Sequence, residues 1–550
     1  MTEAAFASDL HTDGSADLVL EADVLVVGGS LAGCWTALAA RAAGAKVVLV
    51  EKGWTGTAGV VAAANVGGYS VAPDAASAER RRIVEARHDA AEGLDDLVHV
   101  ERVYAEAHRA YAALEALGFR WDARANAGAR FGRFIGPYTL HVLRGALERA
   151  GVRLLDHAPA LELLAHDGAV AGAAGIERKT GRTWAVRAGA VVLATGATAF
   201  LSGAMGTHGV VGDGYLLAGE AGATFSGLEF STLYGFAPKG SPSTKGWWTN
   251  SASWFDAAGR PLGAASGRGG MAEIARAVLE TGGIQAIIDR GPDGFEAFSR
   301  LNHPNTFQYF DRLGIDPFRQ RFAVQMIYEG HIRAVGGVVV DDACSTGIAG
   351  LYAAGDLTDR SRLTGAAMCG AGPAVAWCFA SGEWAGRAAA QHARARTDRP
   401  ARLEALGRVG LRFGTGGRNR PDEVRTAVRS EILPLEKTYF KTTTSLERSR
   451  TTLDSLWDRS AAGFRTQTAD DVLKAREAAA LVAAARLQTV ASLVRKESRG
   501  LHRLEDHPVS EGRMARPVLL SGLDTIASDW SREPRMAVQN FGTLSNAPHP

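Results

Sequence analysis

From Val24 to Val27 the chain is apolar without interruption, the pattern of a strand buried on both faces. After the turn Gly28-Gly29-Ser30, apolar residues recur at helical spacing from Leu31 to Ala43, and a second apolar run closes on Glu51. The stretch Ala22 to Lys52 therefore predicts a strand, a glycine turn, a helix and a second strand. From Ala78 to Leu117 the pattern turns helical and charged. Gly151 to Asp156 and Ala158 to Leu164 read as strands, Val170 to Val186 as a hairpin, and Ala188 to Leu193 as an apolar strand stopping at Ala194-Thr195-Gly196. His392 to Arg420 is rich in arginine and reads as a solvated linker, apart from Leu411 and Phe413. Helices follow over Asp422 to Leu435, Leu446 to Ser460 and Ala469 to Val494, with Gly500 as a candidate helix cap. Residues 1–20 read as a flexible tail. Alternating strands and helices put the chain in the α/β class.

The first turn carries chemistry. Its backbone N–H groups and the helix N-terminus suit a pyrophosphate, and Glu51, eighteen residues past Gly33, suits a ribose hydroxyl. Ser30 stands where G-x-G-x-x-G has its second glycine. The unit is read as a dinucleotide site, with a βαβ unit of some other α/β protein as the alternative. Five glycines between Gly53 and Gly68 mark either close backbone approach to a flat ligand or a flexible loop.

Totals narrow the function. A chain of 550 residues predicts two to four domains, and a net charge of +2 gives no electrostatic support for nucleic acid or a membrane surface. There is no run of eighteen apolar residues, and the acidic start lacks a secretory n-region and h-region, so no membrane insertion and a cytoplasmic location are expected. The four cysteines, at 34, 344, 369 and 378, form no C-x-x-C, so no metal site is assigned. Metal-centre chemistry would need another polypeptide.

Four further motifs occur in order: VVLATGA, with Ala194-Thr195-Gly196; GVVGDGYLLAGEAGATF, with Asp213; GIAGLYAAGD, ending at Asp356; and VRKESRGLHRLEDHP, from Val494 to Pro508. Together they resemble the flavoprotein family containing succinate dehydrogenase, fumarate reductase, L-aspartate oxidase and adenylylsulfate reductase. The resemblance covers Asp23 to Pro508. It implies a Rossmann-type FAD-binding domain over residues 21–225 and 335–391, an inserted α+β capping domain over 226–334, and a C-terminal three-helix domain within 421–550, after the linker 392–420. Implied FAD contacts are Gly28, Ser30, Leu31, Ala32 and Gly33 in the first turn, Glu51 and Lys52 after the second strand, and Gly59. Further along they are Ala194, Thr195, Gly196, Asp213 and Asp356. Asp356 resembles the acid that bonds the ribityl chain, with a simple helix cap as the alternative. Gly372, Pro373 and Ala374 open a helix running to Glu383 whose positive end, in this family, faces the flavin. Ala58-Gly59-Val60 replaces the family's S-H-T, so the FAD is expected to be non-covalent.

The family's dicarboxylate machinery is largely replaced. Tyr234 stands for the histidine of M-E-x-x-Q-F-H-P-T, Met271 for the proton-delivering arginine and Cys369 for a substrate-binding arginine. The relatives' H-x-x-x-G-G is one residue longer here, from His331 to Gly337. Met and Cys supply no cation for a carboxylate, so succinate or fumarate turnover is not expected. The candidate catalytic residues are Tyr234, His331, Arg362 and Cys369, with Arg268 and Arg333 ranked below them. Each has a bland alternative: a core tyrosine, a loop histidine, a salt bridge to Asp359 and a packed thiol. In the cap, Trp247, Trp248, Trp254 and Phe255 form either pocket walls or core. ESRG is either a salt-bridged helix end or part of the site.

The expected function is an FAD-dependent oxidoreductase that moves a hydride between FAD and a small organic substrate. One alternative is the flavoprotein component of an adenylylsulfate-reductase-like complex, with an iron–sulfur or ferredoxin-like partner. Another is a non-catalytic FAD-fold binding protein.

Overall fold

The strand Leu18–Val27 runs through the middle of an eight-stranded sheet, pairing in parallel with Val47–Val50 on one side and Thr183–Leu193 on the other. The structure, a computed structural model, describes residues 16–67, 78–121, 133–244, 246–263, 267–396, 402–411, 419–466 and 468–530. Strand formation begins at Leu18, earlier than the expected tail allows, because Asp17 accepts hydrogen bonds from the N–H and hydroxyl of Thr183 and sets the register Leu18↔Trp184. Val24, Leu25 and Val26 are fully buried, each contributing about 1.5–3 kcal/mol of transfer free energy.

Thr183–Leu193 is one strand where the apolar pattern suggests two. Its first half pairs antiparallel with Ala169–Ile176, while its second half pairs in parallel with Leu351–Ala353. The helix after the first turn, Leu31–Ala42, packs on the long helix Ala371–Ala395. That second helix continues well past Glu383, since Trp384 to Ala395 contains neither proline nor any glycine except Gly386.

An antiparallel five-stranded sheet is inserted into this frame, in the order Tyr234–Pro238, Phe322–Tyr328, Ile284–Ile287, Ser253–Asp256 and Pro261–Leu262. Trp248, Trp254 and Phe236 are buried in its own core beside the helix Gly267–Thr281, so both described tryptophan side chains are packing residues. The chain enters and leaves this insert at neighbouring points, because Ser226 pairs with Gly337 and Phe225 with Val338. The C-terminal strand Leu519–Ser521 pairs with Phe225–Ser226 and ties that crossing together.

The tail helices are Pro421–Ile432, Leu435–Thr438, Thr443–Ala462 and Ala469–Val494. The last is apolar and long enough by composition to cross a membrane, yet it is packed inside the protein. Its two buried arginines fasten it there: Arg476 pairs with Glu220 and donates to Leu161 O at 2.7 Å, and Arg486 pairs with Asp454 at 2.7 Å. Part of the expected linker is also built in, since Glu404–Ala405 adds an edge strand to the main sheet. Gly500 is not a helix cap: the helix ends at Val494, and at Gly500 a Cβ would lie 2.0 Å from Ala366 O, so the glycine permits a close chain crossing.

Candidate active site

Two joined cavities lie between the main sheet, the insert and the tail. The first, about 760 Å³, follows the opening turn. Gly28 sits at φ +110°, where an added Cβ would be 2.4 Å from Ala194 O, so this turn and the Ala194-Thr195-Gly196 loop can meet only through a glycine. Ser30 occupies the N-cap position of the first helix without a side-chain cap bond, and Gly59 lies so close that a Cβ there would be 2.7 Å from the Ser30 Oγ. Ser30 is accommodated by the absence of a side chain at Gly59.

Of the residues expected to touch the cofactor, Gly28, Ser30, Leu31 and Ala32, then Glu51, Lys52 and Gly59, line this cavity. So do Ala194, Thr195, Gly196, Asp213 and Asp356. Gly33, Gly372 and Pro373 are not on its wall, and Ala374 lines the second cavity. Glu51 accepts from the N–H of Gly29 at 2.6 Å and of Gly53 at 2.7 Å, so its carboxylate also fixes the loops on either side. Burial pushes its pKa up. Lys52 bridges Asp213 at 2.7 Å and Glu477 at 2.9 Å. Glu477 belongs to the tail helix and escapes sequence reasoning, because no local pattern brings a residue 425 positions away to this wall. Glycines that admit the backbone, an acid beside the second strand and a basic–acidic wall fit the FAD that the motifs imply.

The second cavity, about 920 Å³, shares Val60, Val61, Ile332, Asp356 and Cys378 with the first, so the two are continuous. Its far wall comes from the insert through Leu233, Tyr234, Phe236 and Met271, and from the tail through Tyr439, Leu501 and Arg503. Tyr234 is the expected catalytic residue that does line it. Its hydroxyl donates to Leu433 O at 3.1 Å, and burial raises its pKa well above the ordinary value.

The other three candidates are placed elsewhere. His331 is buried between Phe200 and Tyr215, with Nε2 2.9 Å from Gln488 Oε1, and burial pushes its pKa down to about 4. Two residues further along the same loop, Arg333 lines the cavity instead. Arg362 pairs with Asp96 and Asp342 at 2.8 and 2.7 Å near the surface; neither the cavity nor Asp359 receives it. Cys369 is fully buried off the cavity wall, and burial raises its thiol pKa. The Arg268 side chain lies outside the described residues.

Sequence reasoning ranks Arg333 low, and the structure moves it forward. It lines the second cavity with a left-handed backbone, φ 57°, and pairs with Glu329, which Thr244 also contacts. Behind the wall, Lys441 is 1% exposed, and its Nζ donates to Thr232 Oγ1 and Ser492 Oγ, both at 3.3 Å. ESRG is a buried ion network: Arg495 lies between Glu229 at 2.7 Å and Glu497 at 2.9 Å, and Arg499 pairs with Glu497 at 2.8 Å.

Comparison with known proteins agrees with this architecture. A family profile described as "FAD binding domain" matches residues 23–372, and one described as "Fumarate reductase flavoprotein C-term" matches residues 431–522. L-Aspartate oxidase of Mycobacterium leprae is 28% identical, covering 91% of this chain and 95% of its own. A fumarate reductase (CoM/CoB) polypeptide of Methanothermobacter marburgensis is 26% identical, covering 91% and 97%. Among solved structures, E. coli quinol fumarate reductase FrdA superposes with a TM-score of 0.75 at 21% identity, over 93% of this chain and 96% of that one. Adenylylsulfate reductase from Archaeoglobus fulgidus gives 0.73 at 18%, over 93% and 95%. With its nucleotide half and its tail both matched, the chain belongs to the succinate dehydrogenase and fumarate reductase flavoprotein family and is an FAD-dependent oxidoreductase.

Proposed function

We propose that this protein moves a hydride between non-covalently held FAD and a small organic substrate other than succinate or fumarate. The observation that carries the reading is the continuity of the cofactor cavity with a second cavity whose walls are mostly apolar. When bound, FAD supplies the hydride acceptor or donor. The chain's own residues supply the rest. Gly28, Glu51 and Asp213 hold the nucleotide side, and the N-terminal turn of Ala371–Ala395 presents Ala374 and Val375 to the second cavity with the positive end of its dipole, favouring negative charge there. Met271 offers a thioether and Cys369 is withdrawn, so neither position supplies a cation for a second carboxylate.

The test is anaerobic mixing of the yellow protein with a panel of alcohols, amines, acids and saturated carbonyl compounds, followed by flavin bleaching. Reduction by members of the panel and none by succinate is expected; rapid bleaching by succinate refutes the reading.

A second reading follows from the family: electrons leaving the flavin would pass to a separate iron–sulfur or ferredoxin-like protein. Copurification of such a protein, together with loss of turnover when it is stripped away, decides for that reading.

A further inference from the structure

The charges on the second cavity bear on what it accepts. Its wall carries two arginines, Arg333 and Arg503, against three carboxylates, Asp89, Glu92 and Asp356. Asp356 is paired with Arg360, and Asp89 is exposed at the mouth. Arg503 lies over the Tyr439 ring, 5.1 Å from its centroid, and donates to the Tyr439 hydroxyl at 3.2 Å. With Arg503 engaged by Tyr439 and Asp356 by Arg360, Arg333 is the cation best placed to take an anionic group.

Arg333 differs from Arg503 in what it leaves open. Glu329 engages one terminal nitrogen, Nη2, and Glu329 is itself held by Thr244. The Arg333 Nε is buried with no hydrogen-bond partner among the described residues. The Nε is closed off by packing, and Glu329 holds only Nη2, so the part of the side chain still exposed, 18%, is what can meet a ligand in the cavity. The left-handed backbone at Arg333, which an L-residue seldom adopts, is the kind of local strain that surrounding structure maintains at functional positions. Near this anchor the wall includes Val61, Leu233, Phe236, Met271, Ile332 and Leu501. The cavity of about 920 Å³ is shared with the flavin ring, since the flavin-facing turn at Ala374 and Val375 lines it, and the wall left to a substrate is largely apolar.

We propose that this cavity takes a largely apolar organic molecule with a single anionic group, which Arg333 binds through the guanidinium edge that Glu329 leaves open. The proposal rests on the oxidoreductase reading for its role but concerns binding alone. Glu329 is the positioning residue: it fixes the guanidinium plane, and Thr244 fixes Glu329.

Isothermal titration calorimetry on the FAD-loaded protein tests it with three matched probes: trans-cinnamate, an apolar monoanion; cinnamyl alcohol, its uncharged counterpart; and fumarate, a small dianion. Cinnamate is expected to bind at least about tenfold tighter than either of the others, the discrimination that a charge-assisted hydrogen bond provides. Arg333→Leu should weaken cinnamate by about 10-fold or more and leave cinnamyl alcohol unchanged, while Arg333→Lys should recover part of the loss. Flavin content and melting temperature show whether each variant is folded, and the wild-type ranking of the probes stands without any variant. Fumarate binding as tightly as cinnamate, or the alcohol matching the acid, overturns the proposal. Failure of all three to bind also overturns it. The oxidoreductase reading fails separately, on the bleaching panel, so the two failures are distinguishable.

Discussion

Lys441 sets up the sharpest stability test in the molecule. It sits just before the helix Thr443–Ala462, 1% exposed, with hydroxyl partners and, among the described residues, no carboxylate in ion-pair range. Burial pushes its pKa from the ordinary 10.5 down to about 7, only partly opposed by the charge of Glu229. At about 1.4 kcal/mol per pH unit, keeping the ammonium inside costs the fold about 5 kcal/mol below pH 7. The unfolded chain binds the extra proton between pH 7 and 10.5, so this penalty is complete below pH 7 and is relieved as pH rises through that window. At pH 9 about 2 kcal/mol of it remains. Lys441→Met removes the penalty and also removes two hydrogen bonds worth about 1 kcal/mol each. The variant should therefore be more stable than wild type by roughly 2–3 kcal/mol at pH 6 and nearly equal to it at pH 9. Thermal midpoints of the two FAD-loaded proteins, taken at one scan rate at both pH values, measure this, since titrating groups other than the coupled His502 and Glu229 cancel in the difference. A variant that melts lower than wild type at pH 6, or a difference that does not change with pH, refutes the reasoning.

Other outcomes follow from the same packing. Glu497→Gln leaves Arg495 and Arg499 without their shared carboxylate in a buried network and should cost about 3–5 kcal/mol, read as a lowered melting temperature. Arg362→Ala breaks only partly exposed pairs, so stability should change by no more than about 1 kcal/mol, and calorimetric cinnamate affinity should not change at all. All four cysteines are buried with their pKa values raised by burial, so a thiol reagent at pH 8 should find none in the native protein and four after denaturation. Gly28→Ala forces a Cβ against Ala194 O in a left-handed turn and should abolish FAD retention, measured as flavin absorbance after gel filtration.

The opening βαβ unit is legible because its signals are local. An unbroken apolar run, a glycine turn and a helical period each depend on neighbours within a few residues, and Gly28, Glu51 and Asp213 meet at the cavity those signals imply. The helices of the tail are legible for the same reason. The partners of charged side chains are not. Spacing offers Asp359, three residues away, to Arg362, which instead pairs with Asp96, 266 positions distant. His331 and Arg333 lie two residues apart in one loop, and the left-handed backbone at Arg333, not their spacing, accompanies the one facing the cavity while the other faces the core.

By itself, then, the sequence determined the α/β frame and the dinucleotide turn, both properties of residue type and short-range spacing. Tertiary structure alone decided that Lys52 spans Asp213 and Glu477, that Lys441 is sealed behind Thr232, and that Arg333 meets the second cavity. The reason is physical: what a charge costs and what it can bind depend on burial and on partners within a few ångströms, and those neighbours arrive from elements hundreds of residues apart.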